Sequence, residues 1–193
     1  TNYVGHWSLA KAHFFEADLA SFFREGERAM DLYPNNATLL GDLGIGTTMS
    51  GEWERGVALV RKAAALNPHH PGEYYFAFGK NHYRKGEYEE ALEEFKKVNM
   101  PGFFAYHMVL AYTYGQLGRT EEARAAIRKV RELQPHFTIE SATDYHRVWN
   151  MEQAYINLAI DGLRKAGLPE APPAPSRPVI AVLPFDSMSE DAA

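Results

Sequence analysis

The chain has 193 residues, 46% apolar and 23% charged, the balance of a globular protein large enough for an ordinary core. A formal net charge of −5 and a pI near 5.9 argue against a nucleic-acid surface, which is normally basic. With no cysteine there is neither a disulfide frame nor a thiolate metal site, and no apolar run is long enough to insert in a membrane.

In chain order, residues 3–36 show two amphipathic stretches, near 2–16 and 19–32, closed by Pro34. The pattern then sharpens. Residues 40–68 read Leu40-x-x-Leu43-Gly44-x-x-Thr47, then Gly51-x-Trp53, Gly56-x-x-x-Val60, Ala63 and Pro68. Residues 75–101 repeat it as Tyr75-x-x-Phe78-Gly79-x-x-His82, Gly86-x-Tyr88, Ala91-x-x-x-Phe95 and Pro101. A third copy gives His107-x-x-Leu110-Ala111-x-x-Tyr114, Gly118, Ala123-x-x-x-Ile127 and Pro135. These copies predict helix pairs near 37–50/53–66, 72–85/88–98 and 102–117/120–133.

Each symbol in the pattern has a physical reason. Gly51, Gly86 and Gly118 separate two amphipathic stretches, where a helix ends on a residue of positive φ. The prolines stop the second helix of a pair. Gly44 and Gly79 sit inside a helix, where glycine costs about 1 kcal/mol relative to alanine. That cost is tolerated where a partner helix must come close, and Ala91 and Ala111 are small for the same reason. Gly44-Ile45-Gly46 is explained by such packing rather than by a nucleotide fingerprint. In the first pair Phe22 stands where the second helix is usually small, as terminal units of an array are often atypical.

Residues 139–166 lose the repeat and keep a helical stripe of Val148, Met151, Tyr155, Leu158 and Leu163, with Gly167 as a stop. This predicts a capping helix within 137–167, covering the end of the array. Pro169–Pro178 holds five prolines in ten residues, an extended linker over 168–178. Val179–Leu183 is a short β-branched run that opens a tail over 179–193. No signal peptide stands out in residues 1–20; the chain opens on Thr1 and reads as a fragment, so its compartment is left open, with the cytoplasm favoured.

The repeated copies resemble the tetratricopeptide repeat (TPR), a helix–turn–helix unit of about 34 residues. The resemblance implies an all-α fold, a right-handed α-solenoid of about four units at 3–36, 37–70, 72–101 and 103–136, with a capping helix and a short β-type C-terminal tail. The span from Tyr33-Pro34-Asn35-Asn36 to Asp161-Gly162-Leu163-Arg164-Lys165-Ala166-Gly167-Leu168-Pro169 also resembles the C-terminal TPR segment of bacterial signalling regulators. In these, the segment accompanies a class III adenylate/guanylate cyclase or a DNA-binding domain. Arg177-Pro178-Val179-Ile180-Ala181-Val182-Leu183-Pro184-Phe185 is similar to the opening strand of the TolB-like domain of the same proteins, although there it normally precedes the repeats. No catalytic or DNA-reading residue of those domains falls within this chain.

Such arrays hold partners on a concave face. The inner stripe of each first helix reads Trp7/Lys11/Phe14, Gly41/Ile45/Thr48, Phe76/Lys80/Tyr83 and Met108/Tyr112/Gly115, with Phe15 and Arg84 adjacent. Aromatic anchors beside a cation mark a binding surface. The stripe therefore predicts a peptide or protein site of Trp7, Lys11, Phe14, Ile45, Thr48, Phe76, Lys80, Tyr83, Arg84, Met108 and Tyr112, with Lys80 and Arg84 on an acidic group. The alternative is that curvature or the C-terminal helix buries this stripe. The asparagines that a carboxylate clamp needs are missing from it. A homodimer exchanging its apolar tail is a further expectation.

No catalytic motif coheres, so the chain is expected to be non-catalytic and to need no cofactor. The eight histidines lack metal-ligand spacing and read as structural. Glu87–Glu90 with Lys96-Lys97, and Glu121-Glu122 with Arg128-Lys129, match the helix dipole and read as solvated faces.

Overall fold

A computed structural model describes residues 2–171. All the regular structure among them is helical: α1 (Tyr3–Phe15), α2 (Leu19–Leu32), α3 (Ala37–Met49), α4 (Trp53–Leu66), α5 (Tyr74–Arg84), α6 (Tyr88–Val98), α7 (Phe104–Gln116), α8 (Thr120–Leu133), α9 (Ile139–Val148) and α10 (Gln153–Lys165). The fold is a TPR-like α-solenoid. Of the linker expected over 168–178, residues 168–171 are described, with Leu168 buried and the Pro169 carbonyl accepting from the Ile139 amide at 3.0 Å. The rest of the linker and the tail over 179–193 lie outside the described residues, and with them the strand and the tail-exchange dimer.

Short polar side chains start several helices by satisfying free amides. Asn2, Asp18 and Asn36 accept from Val4, Ser21 and Leu39, and Thr138 forms a reciprocal capping box with Ser141. The first helix of each pair ends on a left-handed residue. Gly51, Gly86 and Gly118 do this with φ of +90°, +78° and +70°. Each is followed by an amide reaching back five residues, as in Glu87 N–H to the His82 carbonyl at 3.1 Å.

The same motif occurs where no glycine marks it. Ala17 (φ +59°) ends α1, and Asn150 (φ +52°) ends α9, with the Met151 amide donating to the His146 carbonyl at 3.1 Å. Asn150 therefore divides the span expected as one capping helix into two. Asparagine tolerates the left-handed region because its short amide can bond locally. Here its Nδ2 donates to the Phe14 carbonyl at 2.6 Å, tying the turn to α1.

The pairs α1/α2, α3/α4, α5/α6 and α7/α8 pack along their lengths. A Cβ on Gly44 would press on the Val60 amide of α4 at 2.9 Å, so the α3–α4 contact requires glycine there. Phe22 fits at its larger-than-usual position because Gly46 faces it: a Cβ there would lie 2.9 Å from the Phe22 ring.

α10 does not extend the stack. It lies across the inner face of α7 and packs there about as closely as the two helices of a repeat. The crossing is at Gly115 and Gly162, where a Cβ on either would run into the backbone of the other helix. Tyr155, Ile156, Ala159 and Leu163 are buried beneath it.

Candidate binding cleft

The inner face is built from α1, α3, α5 and α7, and the C-terminal helix pair covers part of it. Side chains of successive repeats bond to α10 and its preceding turn. The Tyr83 hydroxyl on α5 donates to the Leu158 carbonyl at 3.0 Å, and Gln116 Nε2 on α7 donates to the same oxygen at 3.1 Å. Trp53 Nε1 donates to Glu152 at 2.9 Å. These bonds give buried polar groups their partners, which the apolar surroundings demand.

The covering sorts the expected site residues into groups. Thr48, Tyr83 and Tyr112 are fully buried, and Met108 nearly so. Thr48 donates to the Gly44 carbonyl at 2.8 Å. Tyr112 shares a 2.7 Å hydrogen bond with the Tyr155 hydroxyl. Thr48, Tyr83 and Tyr112 are core residues that offer no surface to a partner, a correction to the open stripe. Thr48 is packed against Gly56 of α4, its partner helix in the repeat, whereas Tyr83 and Tyr112 are covered by α10, whose apolar side needed the same face. Burial pushes the hydroxyls of Tyr83, Tyr112 and Tyr155 well above the ordinary phenol range, so all three stay protonated.

Arg84 and Lys80 do not act together. Arg84 is held by Glu54, by Asn81 Oδ1 at 3.0 Å, and by stacking over Trp53. Trp7 is half-buried on α1 beneath the Lys11 ammonium. Lys11 is exposed and pairs with Asp42 across the α1–α3 groove at 3.2 Å.

The remaining residues meet in two adjoining clefts. One of about 280 Å³ runs between α1 and α3, lined by Lys11, Phe14, Phe15, Asp42 and Gly46 among others. The other, about 200 Å³, continues between α3, α5 and α7 and is lined by Met49, Phe76, Lys80, Met108 and Val109. Ile45, Glu73 and Trp149 border both. α9 forms one wall through Tyr145 and Trp149, with the Trp149 ring edge-on to exposed Phe15 at 5.5 Å. Phe14, Ile45, Phe76, Lys80, Met108 and Lys11 are thus brought to a cleft, although most are reached only from inside it.

Lys80 is the main electrostatic feature of the inner cleft. It is 4% exposed, and among the described residues it makes no ion pair or hydrogen bond. Its ammonium stands 5.9 Å from the centre of the Phe76 ring. Burial brings its pKa down to about 8. On α9, His146 donates Nδ1–H to the Ala142 carbonyl at 2.6 Å, while its buried Nε2 has no partner. Burial first, and the Lys80 charge second, lower the imidazole to about 4, so it is neutral.

The walls from α9, and Glu73 at the rim, are not among the residues expected from the sequence, because Tyr145 and Trp149 belong to a stretch outside the repeat. The available signal is Trp149-Asn150-Met151-Glu152, which has asparagine where Ser50-Gly51-Glu52 and Lys85-Gly86-Glu87 have glycine. Among the described residues no group of His, Cys, Asp and Glu could hold a metal ion. No described helix is long and apolar enough to cross a membrane.

Residues 72–99 and 104–137 match the tetratricopeptide repeat family model. No curated protein matches the sequence. Among solved structures, one described as the crystal structure of MamA protein aligns with a TM-score of 0.57 and 17% identity, covering 85% of this chain and 89% of that one. MamA MSR-1 gives 0.56 at 19% identity over 85% and 94%, and MamA AMB-1 gives 0.53 at 24% over 72% and 77%. These likenesses establish the fold. They give no support to the resemblance to cyclase-linked regulators.

Proposed function

We propose that the chain is a non-catalytic interaction scaffold that holds a protein partner at the mouth of the cleft between α1, α3 and α9. The observation that carries this reading is the contact of exposed Phe15 with Trp149 at the cleft mouth, edge-on at 5.5 Å. Phe15 and Val148 are 56% and 60% exposed, on two elements far apart in sequence, and Trp149, next to Val148 in the chain, lines the cleft together with Phe15. Large apolar groups clustered beside a groove mark protein contact sites, whereas scattered ones do not. The Lys11–Asp42 pair at the same mouth supplies both charge signs for orientation. The repeat architecture supports the class, because stacked helix pairs present extended inner surfaces of this kind. Neither the tail-exchanged dimer nor the cyclase-linked role draws support from the described residues.

The test is a panning experiment with random peptides displayed on phage, against the wild type and a Phe15→Ser/Val148→Asp variant. Peptides selected on the wild type should lose about tenfold or more in affinity for the variant, whose stability should be unchanged. Equal binding to both proteins would exclude this rim as the docking site.

A further inference from the structure

We propose that the inner cleft is a small-molecule site for a monocarboxylate with a compact apolar body, its carboxylate bonded to Lys80. This goes beyond partner docking at the rim. A buried ammonium is expensive unless something satisfies it. Among the described residues Lys80 has an aromatic ring beside it and no anion. Glu73 shares its helix stripe but stands two turns away, exposed at the rim. His146, from α9, is neutral and offers only a lone pair. The third titratable neighbour, Tyr145, is also uncharged, because burial raises its hydroxyl to about 12. Among the described residues, Lys80 thus places a positive charge on the cleft interior, with Glu73 at its rim.

The shape agrees with the charge. The walls are Ile45, Met49, Phe76, Met108 and Val109, with Tyr145 and Trp149 across from them. A dry cavity of about 150 Å³ takes a benzene-sized guest, so this cleft of about 200 Å³ takes a ring or short alkyl chain. Methionine walls adapt to either. A carboxylate at Lys80 forms a charge-assisted hydrogen bond in a water-poor setting, where such bonds are strong. A phosphate monoester fits less well, since it would bring more charge than one ammonium can neutralise.

The test uses hexanoate and 3-phenylpropionate as probes, with hexan-1-ol as the uncharged control, followed by titration calorimetry and Trp149 fluorescence on the full chain. The expected result is one site per chain, with both acids bound about tenfold or more tighter than the alcohol. Because binding needs the protonated amine and the ionised acid, affinity should be level between about pH 6 and 8 and fall about tenfold per pH unit above that. Lys80→Met should abolish the preference for acid over alcohol. Ile45→Trp, which fills the cleft and keeps the lysine, should abolish binding of all three. Equal affinity for acid and alcohol, or unchanged acid binding to Lys80→Met, would overturn the proposal, as would no binding of either acid at millimolar concentration. The rim variant Phe15→Ser/Val148→Asp should still bind the acids, so failure of the docking reading and failure of this one are separable.

Discussion

The hydroxyls of Tyr112 on α7 and Tyr155 on α10 lie 2.7 Å apart, with both residues essentially removed from solvent. This bond fixes how α10 sits on the inner face, and its energetics are asymmetric. Removing one hydroxyl strands the other in an apolar site, at a cost of about 1–3 kcal/mol. Removing both leaves two phenylalanines with nothing unsatisfied. Tyr155→Phe and Tyr112→Phe should each lower stability in urea unfolding, and the double variant should cost less than their sum. Additive losses would mean that the hydroxyls do not depend on each other.

Gly162 gives a prediction opposite to helix propensity. In an exposed helix, Gly→Ala stabilises by about 1 kcal/mol. Here a Cβ would lie 2.7 Å from the Tyr83 hydroxyl and press on the Tyr112 carbonyl. Gly162→Ala should therefore destabilise, by about 2–4 kcal/mol if α10 must shift. Thermal unfolding of the variant decides the sign.

The arrangement of hairpins was legible because its signals are local: a glycine with positive φ, a proline after the second helix, and small residues where two neighbours touch. Gly44, Gly51, Gly86 and Gly118 carry most of it. The site was legible only in part. Reading i, i+4, i+7 found the stripe containing Ile45, Phe76 and Lys80, but could not tell which members α10 would bury. Tyr155, Leu158 and Leu163 look like any amphipathic stripe, and nothing local says that their partner is α7 rather than the exposed end of the stack. The break at Asn150 was hidden for a related reason, since asparagine is a weaker sign of positive φ than glycine.

Lys80 should make the free protein less stable than it could be. Its folded-state pKa of about 8 lies below the ordinary lysine value of 10.5. Between these values the unfolded chain binds more protons, so stability rises with pH through that window. Below pH 8 the burden is at most about 3–4 kcal/mol, since each tenfold loss of proton affinity corresponds to about 1.4 kcal/mol. Lys80→Met should thus be more stable than wild type at pH 7, and the gap should narrow from pH 8 toward 10.5. Comparing the two proteins across that range removes the common contribution of the buried tyrosines. A less stable Lys80→Met at pH 7 would show that the ammonium is a structural bond donor.

His146 acts at the acid end. Its folded-state pKa of about 4 is below the ordinary histidine value of 6.5, so the unfolded chain again holds more protons between the two. Stability should fall as pH drops from 6.5 toward 4. His146→Gln keeps a donor for the Ala142 carbonyl and has no charge to gain, so its stability should vary less over this window. Parallel acid-unfolding curves would assign the loss elsewhere.

The central structural claim is that α10 is part of the inner face and leaves only the cleft beside α9 open. Native-state hydrogen exchange on the full chain tests it most directly. The amides of Tyr155 to Leu163 should be protected to the same degree as those of Val109 to Thr113 on α7, since the two helices would open together. If the α10 amides exchange orders of magnitude faster while α7 stays protected, α10 is a detachable strap. The concave face would then be open in solution, with Tyr83 and Tyr112 available to a partner after all.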